Sequence, residues 1–283
     1  MQILKTILSL LLKYSLTVIA LVVSFAIGAA LSIGAETNDT TASNDATFLI
    51  VALLNALVFS YWLYHTKRKG WHLLGYFFLV YFGVNTVMPQ IETWFFGNAV
   101  GFEGIQKWGI VQMGLINALL FAPLALLIWG KFKKRTLSTP FNWQIFINKW
   151  IGLTCLYVLV YFLFGYYVAW QSSAVREFYT GNQTLLPFGA HFRDLVNTNF
   201  WIFPFQILRG VDWVGLGYII VRVLDKNKWE NAMMVALIFS MPATFLFLPN
   251  PYMPEAVRMA HFVETLSANF LYGGIVGWVL SDL

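Results

Sequence analysis

Arg258, His261 and Glu264 stand three residues apart at the start of the last long apolar run of the chain, RMAHFVETLSANFLYGGIVG. At about 100° per residue, Arg258, His261, Thr265, Asn269 and Tyr272 share one helical stripe with Glu264 at its edge. A histidine and a glutamate one turn apart can serve as a general acid and base pair, and an arginine beside them can neutralise a phosphate or carboxylate. Further groups of this kind are Glu92 in PQIETWFF and Arg209 and Asp212 in FQILRGVDW. Arg209 lies about nine residues into an apolar segment, where an arginine is costly unless a function or a partner group holds it. Glu92 is a candidate counter-ion, although Asp212, three residues from Arg209, is also placed to neutralise it. Asn117 and Asn269 are uncharged and suit hydrogen bonds between helices.

Several chemistries are disfavoured. His261 and Glu264, with His191 or Glu92, are the best available metal ligands, but two of the four histidines, His65 and His72, fall at the opposite end of the predicted bundle, so neither a metal nor an organic cofactor is expected. Thr265 and Ser267 lie near His261 without the nucleophile elbow of serine hydrolases. The glycines are scattered, and no phosphate-cradling loop is present. The single cysteine, Cys155, rules out an internal disulfide.

The elements that must position these residues follow from composition. Of 283 residues, 59% are hydrophobic, 18% aromatic and only 11% charged, which is the balance of a polytopic membrane protein. Runs of about 20 apolar residues span a bilayer as helices, and eight are read at roughly 6–33, 46–65, 71–96, 109–130, 150–170, 199–223, 231–249 and 258–280. The first resembles a signal peptide in carrying small residues after it, but its apolar run is long for one. The fold class expected is all-α, a transmembrane helical bundle of eight spans, filling residues 1–283 as one membrane domain.

Thirteen of the 18 Lys and Arg residues fall on one side of these spans. They include Lys5, Lys13, HTKRKG at 65–70, Lys131, Lys133, Lys134, Arg135, Lys149, Arg222, Lys226 and Lys228. By the positive-inside rule that side is cytoplasmic, so both termini are expected there, in a multi-pass protein of the cell membrane. The net charge of +5 is explained by these loops, and nucleic acid is not expected as a partner. The acidic stretch ETNDTTASND and the long connection from 171 to 199 are then extracytoplasmic. A short helix is predicted at about 188–196, with Phe188, Phe192 and Leu195 on one side and His191 and Asp194 on the other, suited to cover a cavity.

The two halves, 1–135 and 145–283, also align. Leu16-Thr17, Phe25 and Gly28 match Leu153-Thr154, Phe162 and Gly165, and Met88-Pro89 matches Met241-Pro242. Gln112 falls opposite Glu264 and Asn117 opposite Asn269; Pro to Asn is 28 residues in one half and 27 in the other. The same order of markers indicates a duplication of four spans, with both copies in one orientation. Where the first half has neutral Gln106, Gly109 and Gln112, the second has Arg258, His261 and Glu264.

The expected site is therefore a charged, outward-facing cavity lined by Glu92, Arg209, Asp212, Arg258, His261, Glu264, Asn269, Asn117 and Gln112. The leading expectation is binding and translocation of a small polar or anionic solute or a lipid headgroup. One alternative is a membrane-embedded hydrolase or transferase acting on a lipid-linked substrate, with His261 and Glu264 as its catalytic pair. The other is a non-catalytic subunit whose charges meet a membrane partner.

Overall fold

The computed structural model describes residues 2–33, 45–97, 104–132, 143–224, 226–249 and 253–283. Glu36–Asn44 of the acidic stretch and the basic residues Lys133, Lys134 and Arg135 lie outside them. The described chain is all helical: α1 (Gln2–Leu31), α2 (Asp45–His65), α3 (Trp71–Phe82), α4 (Met88–Phe96), α5 (Gly104–Ile128), α6 (Trp143–Tyr167), α7 (Ser173–Thr180), α8 (Phe188–Thr198), α9 (Ile202–Leu224), α10 (Lys228–Thr244) and α11 (Glu255–Leu280). No strand is present among the described residues.

Long apolar runs become helices here because a helix satisfies its own backbone, which hydrocarbon cannot do. Their ends are set by local chemistry. Gly130 and Gly181 stop α5 and α7 in the left-handed conformation that costs glycine little. Asn227 caps α10 by accepting from the Glu230 N–H at 3.0 Å. Pro187 and Pro254 stand just before α8 and α11, where a missing N–H costs nothing.

Among the described residues, six helical stretches are long and apolar enough to cross a membrane: those beginning at Gln2, Ala46, Trp71, Lys107, Gln144 and Lys228. The two other expected spans form helices of comparable length, 23 residues in α9 and 26 in α11. Arg209, Asp212 and Arg222 in α9, and Glu255, Arg258, His261 and Glu264 in α11, interrupt their apolar character. The helices that carry the candidate chemistry are thus the ones that composition marks least clearly as spans. The outer faces of the bundle are apolar, with Ile3, Leu4, Leu8 and Leu12 of α1 all exposed, as side chains meant for lipid should be.

α10 sits centrally, 61% buried over its apolar window against 22% for α1. It packs most closely on α11, where a methyl added at Gly273 would come within 2.8 Å of the Val235 carbonyl oxygen, and one at Gly277 within 2.5 Å of that of Asn231. Only glycine allows these two backbones so near. α1 packs on α2 and α5, α3 on α5, and α6 on α9 and α11; between the halves α2 meets α10 and α3 meets α9. Phe59, Trp62, Phe77, Tyr81 and Phe121 form the core of the first half. Tyr157, Trp213, Phe239 and Tyr272 form that of the second.

The basic loops gather at one end. Lys131 Nζ donates to the Thr66 carbonyl at 2.9 Å, Arg68 Nε to that of Arg222 at 2.9 Å, and Lys149 Nζ to that of Val279 at 2.7 Å. Burial and the neighbouring charges of Lys69 and Lys13 push the Lys131 ammonium down to about 8.

A π-turn at Gly83–Val87 joins α3 to α4, closed by the Met88 N–H donating to the Gly83 carbonyl. Pro123 and Pro242 sit inside α5 and α10 without such a turn, so Pro89, just after it, favours the widening and does not dictate it. Pro89 has no N–H to offer the Asn85 carbonyl one turn back, and its ring would collide with that oxygen in a regular helix. Widening the turn inserts one residue and resolves both conflicts.

Candidate functional site

That inserted residue decides where Glu92 points. A methyl at Gly83 would touch Leu216 of α9 at 2.7 Å, so this face of α3 lies on α9. In an unbroken α-helix a residue nine positions on would be turned by about 180°, away from α9. With one residue inserted, the turn falls to about 80°, and Glu92 meets α9 as well. There Arg209 Nη1 donates to Glu92 Oε1 and Nη2 to Oε2, both at 2.9 Å. This two-pronged pairing is the strongest geometry between these groups.

Arg209 is held from every side. Its Nη1 also donates to Gln206 Oε1 at 3.1 Å, and the rings of Tyr157, Tyr161 and Phe205 lie 5.8, 5.9 and 5.8 Å from the guanidinium. Its side chain is only 7% exposed, against 37% for Glu92. Gln206 Nε2 and Arg209 Nε are buried without a protein partner.

A second group lies alongside. His261 Nδ1 donates to Glu264 Oε2 at 2.9 Å, which leaves Nε2 of the neutral ring to accept the Tyr179 hydroxyl at 3.2 Å. Glu264 reaches toward α6, where a methyl on Gly165 would lie 3.9 Å from Oε1. Tyr179 joins the two groups. Its ring lies 6.4 Å from that of Phe96 on α4 and 5.7 Å from His261. Its hydroxyl is held well above the usual phenol range, first by burial and then by the negative charges of Glu92 and Glu264. Glu92, Arg209, His261 and Glu264 therefore form one electrostatic neighbourhood between α4, α6, α9 and α11, capped by α7, with Arg209 buried and the other three half-buried.

The cap is built by Arg176, whose Nε donates to the Gln183 carbonyl at 2.7 Å and whose Nη1 donates to those of Trp170 and Gln171 at 2.6 and 3.0 Å. α8 follows the predicted amphipathic pattern. Phe192 packs on Phe162 and Phe203, and Phe188 on Tyr166 and Tyr167. His191 instead lies against Trp170 and Tyr166, and burial pulls its pKa below the ordinary value despite the opposing charge of Asp194.

The remaining sequence candidates stand elsewhere. Arg258 Nη1 donates to the carbonyls of Leu246, Phe247 and Leu248 at 3.0, 3.2 and 2.8 Å, closing the frayed end of α10. Asn269 donates to the Phe239 carbonyl and Asn117 to the Tyr81 hydroxyl, each at 3.0 Å, so both lock helix pairs. Gln112 Oε1 accepts from the Ile33 N–H at 3.0 Å. Asp212 is half-buried and makes no ion pair among the described residues; Arg209 has taken Glu92 instead.

Sequence reasoning missed Tyr157, Tyr161, Tyr179 and Gln206. Three of these had a signal: Gln206 is one turn before Arg209, and Tyr157 and Tyr161 are one turn apart on α6. Tyr179 had none, because α7 reaches the site only through the loop fold. No set of three or more His, Cys, Asp or Glu side chains among the described residues is arranged to hold a metal ion. No protein family, curated protein or solved structure matches the chain.

Proposed function

We propose that the chain is an eight-span protein of the cell membrane that binds a small polar or anionic solute, or a lipid headgroup, in a charged cavity at these groups and translocates it. In this reading α9 and α11 span the bilayer with the six more apolar stretches, the basic loops and both termini are cytoplasmic, and the cavity opens to the other side under α7 and α8. Two four-span repeats, 1–135 and 145–283, frame it. Equivalent pairings support the repeat, since α1 packs on α5 as α6 packs on α11, and α2 meets α10 as α9 meets α3.

The halves differ at one informative place. Gly28 of α1 lies directly on α5, where a methyl would meet the Met113 carbonyl oxygen at 2.6 Å. Its counterpart Gly165 has no such backbone contact with α11, and the Glu264 carboxylate stands in the space. One helix pair is sealed and the equivalent pair is wedged open around ionisable groups.

The observation that carries the reading is the convergence of Glu92–Arg209 and Tyr179–His261–Glu264 around the buried Arg209 guanidinium. Such groups are expensive at membrane depth and mark ligand or proton paths. His261, between a carboxylate and a phenol, is placed to take up or release a proton as the ligand binds.

The test is a ligand screen by thermal stability, over amino acids, sugars, nucleotides, carboxylates and lipid headgroups, with H261A/E264Q alongside. Stabilisation of the parent that the variant loses assigns the ligand to this site, and uptake of that ligand into proteoliposomes then establishes translocation. If no ligand separates parent from variant, the reading fails and a role as a membrane-complex subunit takes its place.

One observation favours the membrane-enzyme alternative. The Tyr179 hydroxyl, His261 and Glu264 are linked in the order of nucleophile, base and orienting carboxylate. Product formation from a lipid-linked substrate, without uptake, selects it.

A further inference from the structure

We infer that the Arg209 fork is a carboxylate-binding subsite in which Glu92 stands in for the ligand, so that the solute is a monocarboxylic acid that enters by displacing the Glu92 side chain. The inference rests on the reading of these groups as a ligand site and names the charged group of its ligand.

Three features carry it. First, the pairing is planar and two-pronged, each Nη atom serving one carboxylate oxygen at 2.9 Å. A planar two-oxygen group fills that fork completely. Second, the partners are unequally held. The cation is 7% exposed, boxed by three rings and by Gln206, while the carboxylate is 37% exposed. The arginine is fixed machinery and the carboxylate is the part with room to leave. Third, Glu92 sits on α4, beyond the π-turn at Gly83–Val87. Return of that turn to regular helix would rotate α4 by about 100° and carry Glu92 off Arg209. Within the turn, both polar atoms of the Asn85 amide are buried and unpartnered.

The surroundings suit a carboxylate attached to an apolar or aromatic body. Phe95 and Phe205 stack at 4.1 Å beside the fork, and Phe96 and Tyr179 continue the wall.

The test is chemical rescue in the purified full-length protein. Glu92→Ala deletes a CH2–COO− group, whose free equivalent is acetate, and leaves the buried guanidinium unpaired. The variant is expected to melt below the parent, and sodium acetate, propionate or benzoate to raise its melting temperature by about 5 °C at saturation. Sodium chloride at equal ionic strength should give no such rise, and E92A/R209M should not respond. Rescue absent, rescue equal in the double variant, or phosphate outperforming the carboxylates each overturns the assignment. Glu92→Gln keeps the volume and provides a second reading if E92A does not fold: acetate must stabilise it more than it stabilises the parent, and an equal response overturns the inference. Rescue together with no carboxylate uptake in proteoliposomes would refute translocation and leave the subsite standing, so the two claims fail separately.

Discussion

The Glu92–Arg209 pair makes an asymmetric prediction. Removing one member of a buried ion pair costs about 3–5 kcal/mol when the survivor stays buried and uncompensated. After Glu92→Ala the survivor is Arg209, with 7% of its side chain exposed and its Nε already without a partner. The full cost applies, about 3–4 kcal/mol. After Arg209→Met the survivor is Glu92, 37% exposed, which can turn to water. The methionine meanwhile keeps its contact with Tyr157, Tyr161 and Phe205, and the cost falls to about 1 kcal/mol. The double variant should be more stable than E92A alone by about 2 kcal/mol, because no charge is then stranded. At about 2–4 °C per kcal/mol for a chain of this size, E92A melts about 6–16 °C below the parent and R209M about 2–4 °C below. Thermal unfolding of the four proteins in one detergent, without added carboxylate, measures the cycle. An R209M variant as damaged as E92A, or a double variant no better than E92A, would refute the view that the arginine is the fixed partner.

Other consequences follow from the same geometry. Gly277→Ala places a methyl about 2.5 Å from the Asn231 carbonyl oxygen, and prying α11 from α10 should cost about 1–3 kcal/mol in thermal unfolding; an unchanged melting point would show the contact to be loose. Arg258→Leu strands the three carbonyls that Arg258 holds at the end of α10 and should lower stability by about 2–4 kcal/mol. It should leave the apparent affinity of any ligand found in the screen unchanged, as titration can check, because Arg258 serves the fold and not the cavity. Lys131 gives a pH dependence whose sign is fixed. Its folded pKa, about 8, lies below the unfolded value of 10.5, so the unfolded chain holds more proton between these values and stability rises with pH through that window. Below pH 8 the ammonium is charged in both states and the burial cost, on the order of 1–2 kcal/mol after allowing for screening, is fully felt. Comparing melting points at pH 7 and 9.5, the parent should gain more than Lys131→Met; equal gains would show that Lys131 is not the source.

The class of protein and most of its helices were legible because they depend on sums over many residues. The 59% hydrophobic content and the spacing of the apolar runs set the helical bundle, since an apolar chain must satisfy its backbone internally. Gly273 and Gly277 have the four-residue spacing of a small-residue pair that lets helices pack closely, and they lie against the backbone of α10. Arg209 could be named as a costly charge from its depth, and Glu92 as a candidate counter-ion. Single-residue roles were less legible. Arg258 stood in the same helical stripe as His261, yet it turns to the carbonyls at the end of α10, because a stripe some 80° wide can face two different neighbours. Asp212 had the sequence spacing to answer Arg209, but the pairing went to a carboxylate 117 residues away.

What the sequence alone determined is therefore the material: apolar helices of membrane length, an uneven spread of basic loops, and a few polar groups too costly to be idle. Tertiary structure alone decided which of those groups meet. A π-turn just before Pro89 swings Glu92 onto α9, a loop helix lowers Tyr179 onto His261, and a glycine at 165 leaves room for Glu264. The physical reason is range. Hydrophobic content and periodicity act locally and can be summed along the chain, whereas an ion pair or a proton relay requires side chains far apart in sequence to arrive within 3 Å or so of each other, and only the packing of whole helices sets that distance.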